Sequence, residues 1–270
     1  MKKFGLALGG GGAKGLAHIP MLEVFDELNL QPHCIAGTSI GAIMGALYAS
    51  GIQADQIRQR VDKMVISKGD SFRAILKKKD ALKWIRFMDV DFRGKGLFHG
   101  DKFINFLYQA MGVEHFEDLA IPLRVVASDF WTSEQIVLDT GDLLPAVKAS
   151  MGLPGVFTPV TLNERVLIDG GGVNPVPHDL LTDCDIVIAV NVMGHTNKHK
   201  PPHLFQAVLG TFDVMQNSII AAKLKQTPPD IYIKPDIHDV DILEFYKAND
   251  IYEQAEPARQ ELKRALEKLL

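Results

Sequence analysis

Apolar residues in this chain come in short runs that change period. Residues 4–8 form a continuous apolar run that ends at a glycine-rich loop. Residues 15–28 place Leu16, Ile19, Leu22, Val24, Phe25 and Leu28 roughly along the stripe of a helix. Residues 33–36 then read as a second strand and 40–49 as a second helix. Residues 101–111 return to a helical pattern, 123–127 and 136–138 read as strands, and 142–150 reads as a helix. Residues 166–168 form a strand that stops at Asp169-Gly170-Gly171-Gly172, and 185–192 are almost wholly apolar and β-branched, as in a central parallel strand. Residues 203–226 are helical in period and 231–233 form a short strand. An amphipathic helix from Asp250 closes the chain, with Pro257 predicting a kink or the start of a second helix. Strand-helix-strand units of this kind build a parallel sheet with helices on both faces, so the expected class is α/β. No repeat or low-complexity linker divides the chain. The expectation is one domain over residues 1–270, with 51–100 a candidate cap and 203–270 a helical C-terminal part.

Composition narrows the class of partner. The 270 residues carry 29 Lys and Arg against 33 Asp and Glu, a formal net charge of −4, which argues against nucleic acid as the main partner. Hydrophobic residues at 47% and charged residues at 23% exclude a disordered or collagen-like chain. The two cysteines, Cys34 and Cys184, are too few for a disulfide framework and are expected as reduced core residues in strands. Against the acidic whole, residues 68–96 hold nine Lys and Arg and four Asp and Glu, interleaved with apolar side chains such as Trp84 and Phe87. Such a segment fits a basic cap touching an anionic lipid surface, or a helical pair over a pocket with its charges in water. The apolar start is too short for a signal peptide, and glycines and Lys14 interrupt it. Residues 28–54 contain no charged side chain, yet Pro32, four glycines and a change of period make them a strand, turn and helix rather than a membrane span. A cytoplasmic protein without a spanning helix is expected.

Ligands of parallel α/β sheets bind outside the carboxyl ends of the strands, where this chain places two glycine turns. In Gly10-Gly11-Gly12-Ala13-Lys14-Gly15 the spacing matches a dinucleotide loop. The following strand, however, ends Ala36-Gly37-Thr38 without the carboxylate that would hold a ribose. A P-loop fails as well, because Gly15, not Ser or Thr, follows Lys14. The second turn, Gly37-Thr38-Ser39-Ile40-Gly41, has the spacing of a nucleophile elbow at a helix N-terminus, where the helix dipole favours a developing oxyanion. The plainer alternative is a glycine turn with a capping serine. An ordinary α/β-hydrolase places several strands before its elbow, whereas here one strand precedes the strand that enters the turn. The base is therefore sought elsewhere, and Asp169-Gly170-Gly171 offers a carboxylate in an open turn. His195, His199 and His203 recur every fourth residue, but Pro201 and Pro202 break a helix there, so a solvated loop is expected. His178 is expected to be structural.

In order along the chain, Gly10 to Gly15, Gly37 to Gly41, Ala149-Ser150-Met151-Gly152-Leu153-Pro154 with Phe157, and Asp169-Gly170-Gly171 with Asn174 and Pro175 resemble four blocks of the patatin-like phospholipase family. The resemblance runs from about residue 4 to 193 and weakens beyond. Pro20 stands where the family often has glycine, and should kink the first helix or delay its regular part. Gly152 stands where alanine is common. The resemblance implies a three-layer α/β/α sandwich with a mostly parallel central sheet, and a Ser-Asp dyad without histidine. In it Ser39 attacks an ester carbonyl and Asp169 takes its proton, while the amides of Gly10, Gly11 and Gly12 stabilise the oxyanion. Lys14, Gly15, Gly37, Gly41, Gly170 and Gly171 complete the implied oxyanion and substrate-binding turns, Lys14 by bracing the loop. No cofactor or metal is implied. The implied substrate is a lipid or other acyl ester, with peripheral contact to the inner membrane surface. An acyltransferase on the same scaffold and a non-catalytic lipid- or protein-binding regulator are the alternatives.

Overall fold

A computed structural model describes residues 2–66, 111–154, 156–195 and 204–270. The basic segment 68–96 and most of the expected helix at 101–111 lie outside these residues. Eight strands form one sheet: β1 Phe4–Leu8, β2 Cys34–Thr38, β3 Leu123–Asp129, β4 Gln135–Leu138, β5 Val160–Leu162, β6 Arg165–Asp169, β7 Ile186–Val190 and β8 Ile231–Ile233. Strands β3-β2-β1-β7-β8 pair in parallel, and β3 also pairs antiparallel with β4 and β6, as β5 does with β6. The sheet is therefore mixed: the expected parallel block carries an antiparallel flank.

Alternation along the central strands sets up two unequal layers. Leu6, Leu8, Ile35, Ile188 and Val190 belong to the main buried cluster. That cluster also holds side chains of α1 His18–Glu27, α2 Ile40–Ala49, α3 Ala54–Ile66, α4 Leu143–Ser150 and α6 Ala248–Glu267. On the other face the residues are small: Ala7, Cys34, Ala36 and Ala189 pack against Val176, Leu181 and Ile220 of α5, Leu204–Gln226. Small side chains let a helix lie close to that face, while branched ones fill the wider layer.

All ten residues of α2 are buried, which explains why segment 28–54 carries no charge. Among the described residues no helix is long and apolar enough to cross a membrane. Pro20 acts as expected: a 3-10 turn over Gly12–Ala17 comes first, and the regular helix begins only at His18. Pro257, by contrast, starts no second helix, because α6 runs through it and only the carbonyl four residues back loses its donor. Of the expected cap, residues 54–66 form α3, with Ile57 and Val61 buried in the main cluster and Arg58 paired to Glu23 of α1 at 2.6 Å. Both cysteines are free; Cys34 is buried in β2, but Cys184 is half-buried in the turn before β7 rather than within the strand.

The register on β3 brings distant parts of the chain together. Residues 123–126 of β3 pair with β2, 125–128 with β4 and 127–129 with β6. A strand has two edges, so β4 must occupy one while β2 and β6 follow each other along the other. Thr38, the last residue of β2, pairs with Val126; Asp169, the last residue of β6, pairs with Ala127, one rung further. The two strands meet end to end.

Candidate active site

Ser39 lies where β2 turns into α2, with φ 54° and ψ −124°, a strained conformation for a residue with a side chain. Its neighbours hold it there. The Ser39 N–H donates to Ser150 Oγ at 2.8 Å, Thr38 Oγ1 donates to the Asn174 carbonyl at 2.7 Å, and the Ser39 carbonyl accepts from Ala42 and Ile43. The turn closes because Gly37 touches the backbone of Ala42, and Gly41 lies against the Leu8 and Gly9 carbonyls, where a Cβ would overlap. Gly41→Ala should therefore push α2 off β1 and cost about 2 kcal/mol. A denaturant melt of that variant measures the loss.

Asp169 is 3% exposed, and the Ser39 hydroxyl lies close enough to its carboxyl to favour the charged form. Its Oδ1 accepts from the Gly171 N–H at 2.7 Å, and its main chain is held by Ser128 Oγ at 2.7 Å and the Gly152 carbonyl at 3.1 Å. Burial pushes the carboxyl up to about 6, against the downward pull of the Ser39 hydroxyl and the Gly171 N–H. Ser150, the last residue of α4, and Gly152, just beyond it, thus hold the serine and the aspartate respectively. Gly170 must be glycine because a Cβ would overlap the Val126 carbonyl.

The loop Gly10–Gly12 faces the serine: a Cβ on Gly10 would lie 3.4 Å from Ser39 Cβ. Its three amides are not equivalent. Gly10 already donates to the Pro175 carbonyl at 2.9 Å, and Ala13 to the Ile242 carbonyl at 2.8 Å. The N–H groups of Gly11 and Gly12 have no acceptor among the described residues. The implied trio of donors therefore reduces to two. Gly12, at φ 57°, passes so close to Ile242 that no side chain fits. Gly15 lets the 3-10 turn pack onto Ile40. His18, fully buried, fixes the loop through Nε2 on the Gly9 carbonyl at 2.8 Å, and burial lowers its pKa to about 4, so it stays neutral. Lys14 is buried beside Gly194, with its ammonium 3.9 Å from Asp213 of α5.

These parts line a cleft that is open to solvent. Ser39, Asp169 and Gly10–Gly12 share it with apolar side chains including Met151, Leu153 and Phe157, and with Asp213 and Gln216 from α5. The patatin-like phospholipase profile matches residues 6–182, which span all of the site except the α5 wall and the C-terminal apolar lining. The chain belongs to the patatin-like phospholipase family. Among relatives of this family, an uncharacterized NTE family protein of Mycobacterium tuberculosis is 31% identical over 192 residues, 70% of this chain and 49% of that protein. A neuropathy target esterase of Drosophila melanogaster is 31% identical over 193 residues, 70% of this chain and 13% of that one. A lysophospholipase of Kluyveromyces lactis is 27% identical over 276 residues, 92% of this chain and 18% of that one. The chain spans about half the length or less of these relatives. Among solved structures, VipD of Legionella pneumophila matches in fold with a TM-score of 0.52 at 16% identity, covering 96% of this chain and 67% of that chain.

The other sequence candidates fall away from the cleft. His178 is buried with Nδ1 at 2.9 Å from the Val176 carbonyl and Nε2 at 2.8 Å from the Thr227 carbonyl. His195 bridges to His238, whereas His199 and His203 lie outside the described residues. No cluster of metal-ligating side chains occurs among the described residues. Sequence reasoning did not single out Asp213 or Gln216. The only signal was an Asp and a Gln three apart, and so on one face of the expected helix.

Proposed function

We propose that this chain is a serine acyl hydrolase that cleaves carboxylic esters of lipids, with Ser39 as nucleophile and Asp169 as base. One observation carries the reading: a serine in a strained turn lies beside a buried carboxylate and two uncommitted N–H groups, in a cleft walled by apolar side chains. Asp169 takes the Ser39 proton as Oγ attacks the ester carbonyl. An ordinary aspartate at about 3.9 is a weak base for an alcohol; burial makes Asp169 a stronger one. The tetrahedral oxyanion faces Gly11, Gly12 and the N-terminus of α2, and such donors are worth about a hundredfold to a thousandfold each. Protonated Asp169 then gives its proton to the leaving alcohol, and an acyl chain remains on Ser39. The apolar wall suits that chain. The names of the relatives, a lysophospholipase and neuropathy target esterases, support a lysophospholipid or similar lipid ester as the substrate class.

A fluorophosphonate probe with intact-mass and peptide analysis tests this. One adduct, on Ser39, is expected, together with release of free fatty acid from a lysophospholipid. A folded protein that takes up no probe at Ser39 would falsify the assignment. Transfer of the acyl group to an added alcohol faster than to water would make it an acyltransferase.

A further inference from the structure

Hydrolysis needs a second nucleophile. Once the alcohol has left, a water molecule must reach the acyl carbon from a side where Asp169 can take its proton. Apart from the Gly11 and Gly12 amides, which the oxyanion engages, most of the described cleft wall is apolar and offers water no partner. Among the described residues, the polar side chains lining the cleft are Ser39, Asp169, Asp213 and Gln216. Ser39 carries the acyl group, and Asp213 faces the Lys14 ammonium at 3.9 Å. That leaves Gln216.

Gln216 is 5% exposed, projects from α5 into the cleft, and its amide has no hydrogen-bond partner among the described residues. Its amide atoms are therefore open to the cleft, where a water can bond to them. Its nitrogen packs directly on the Cα of Gly171, in the space a Cβ would take. That same space lies 2.9 Å from Asp169 Oδ1. The amide therefore sits beside the carboxylate, on the wall formed by α5, and carries both donors and an acceptor.

We infer that Gln216 is a catalytic residue of deacylation: its amide holds the hydrolytic water against Asp169. This rests on the acyl-enzyme reading above. The water oxygen bonds to the acyl carbon as one of its protons passes to Asp169. The tetrahedral intermediate then collapses, breaking the bond to Ser39 Oγ, which takes the proton back from Asp169. The products are the free fatty acid and the starting enzyme. Attack by Ser39 needs no water, so the amide is silent in the first half of the cycle.

Gln216→Met keeps the volume and removes the amide. With a chromogenic acyl ester, a full burst of alcohol is expected from this variant, followed by steady turnover at least about tenfold slower than wild type. Intact mass should show acylated Ser39 accumulating, and fluorophosphonate should label Ser39 within about twofold of the wild-type rate. Hydroxylamine, a stronger nucleophile than water, should restore most of the turnover, which a merely structural defect would not allow. Unchanged turnover overturns the inference, as does an equal loss of burst and steady rate. A wild-type protein that takes no label at Ser39 instead overturns the acyl-enzyme reading, so the two failures are distinct. Should Gln216→Met not fold, Gln216→Asn, which withdraws the amide by one methylene, gives the same readout.

Discussion

Ser39→Ala and Asp169→Asn are each expected to lower kcat/KM for an acyl ester at least about a thousandfold while leaving the fold intact. The two losses should not add, because the serine and its base act as one unit, and the double variant should retain about what each single variant retains. The reason is geometric. In the proposed dyad Ser39 Oγ depends on the adjacent Asp169 carboxyl, and neither buried histidine can replace it: His18 is locked onto Gly9 and His178 onto two carbonyls. Steady-state kinetics with circular dichroism on the three variants checks this. Turnover within tenfold of wild type in either single variant would remove the dyad.

The second large effect concerns pH. With the Asp169 carboxyl pushed to about 6, kcat/KM should fall about tenfold per pH unit below that value and level off above it. Stability should run the other way. Between about 3.8 and about 6 the folded protein holds a proton that the unfolded chain has released, so stability declines as pH rises through this window. Above about 6 the charged, buried carboxylate costs the fold about 3 kcal/mol. Asp169→Asn removes that cost, so the inactive variant should melt higher than wild type at pH 8 and close to it at pH 4. A gap of equal size at both pH values would show that desolvation of this carboxylate is not its cause.

Much of the fold could be read from the sequence because its period follows burial. The helix over residues 40–49 and the strand over 231–233 appear with the expected bounds. α3 is less legible because its apolar stripe, Ala54, Ile57, Val61 and Met64, is narrow and its first ten residues are otherwise polar. β5 is three residues long and takes its shape from pairing with β6 rather than from any pattern of its own. At the site, the glycine turns were visible because close approach admits no other residue. The division of labour among Gly10, Gly11 and Gly12 was not, because Pro175, far along the chain, decides it. Ser150 could be noticed only as part of a resembling block; its bond to the Ser39 N–H gives the physical reason for it.

Strand β3 works as a ruler. Ser39 follows a residue paired to Val126, and Asp169 is paired to Ala127, so main-chain register rather than any loop sets the spacing of the reacting groups. Adjacent rungs are about 3.3 Å apart, and a slip by one would also turn the carboxylate to the opposite face of the sheet. Chemistry and selectivity are thereby written in separate parts of the chain. The connections that wall the cleft can lengthen, shorten or change composition, and so change what enters, while Ser39 and Asp169 remain at the same distance.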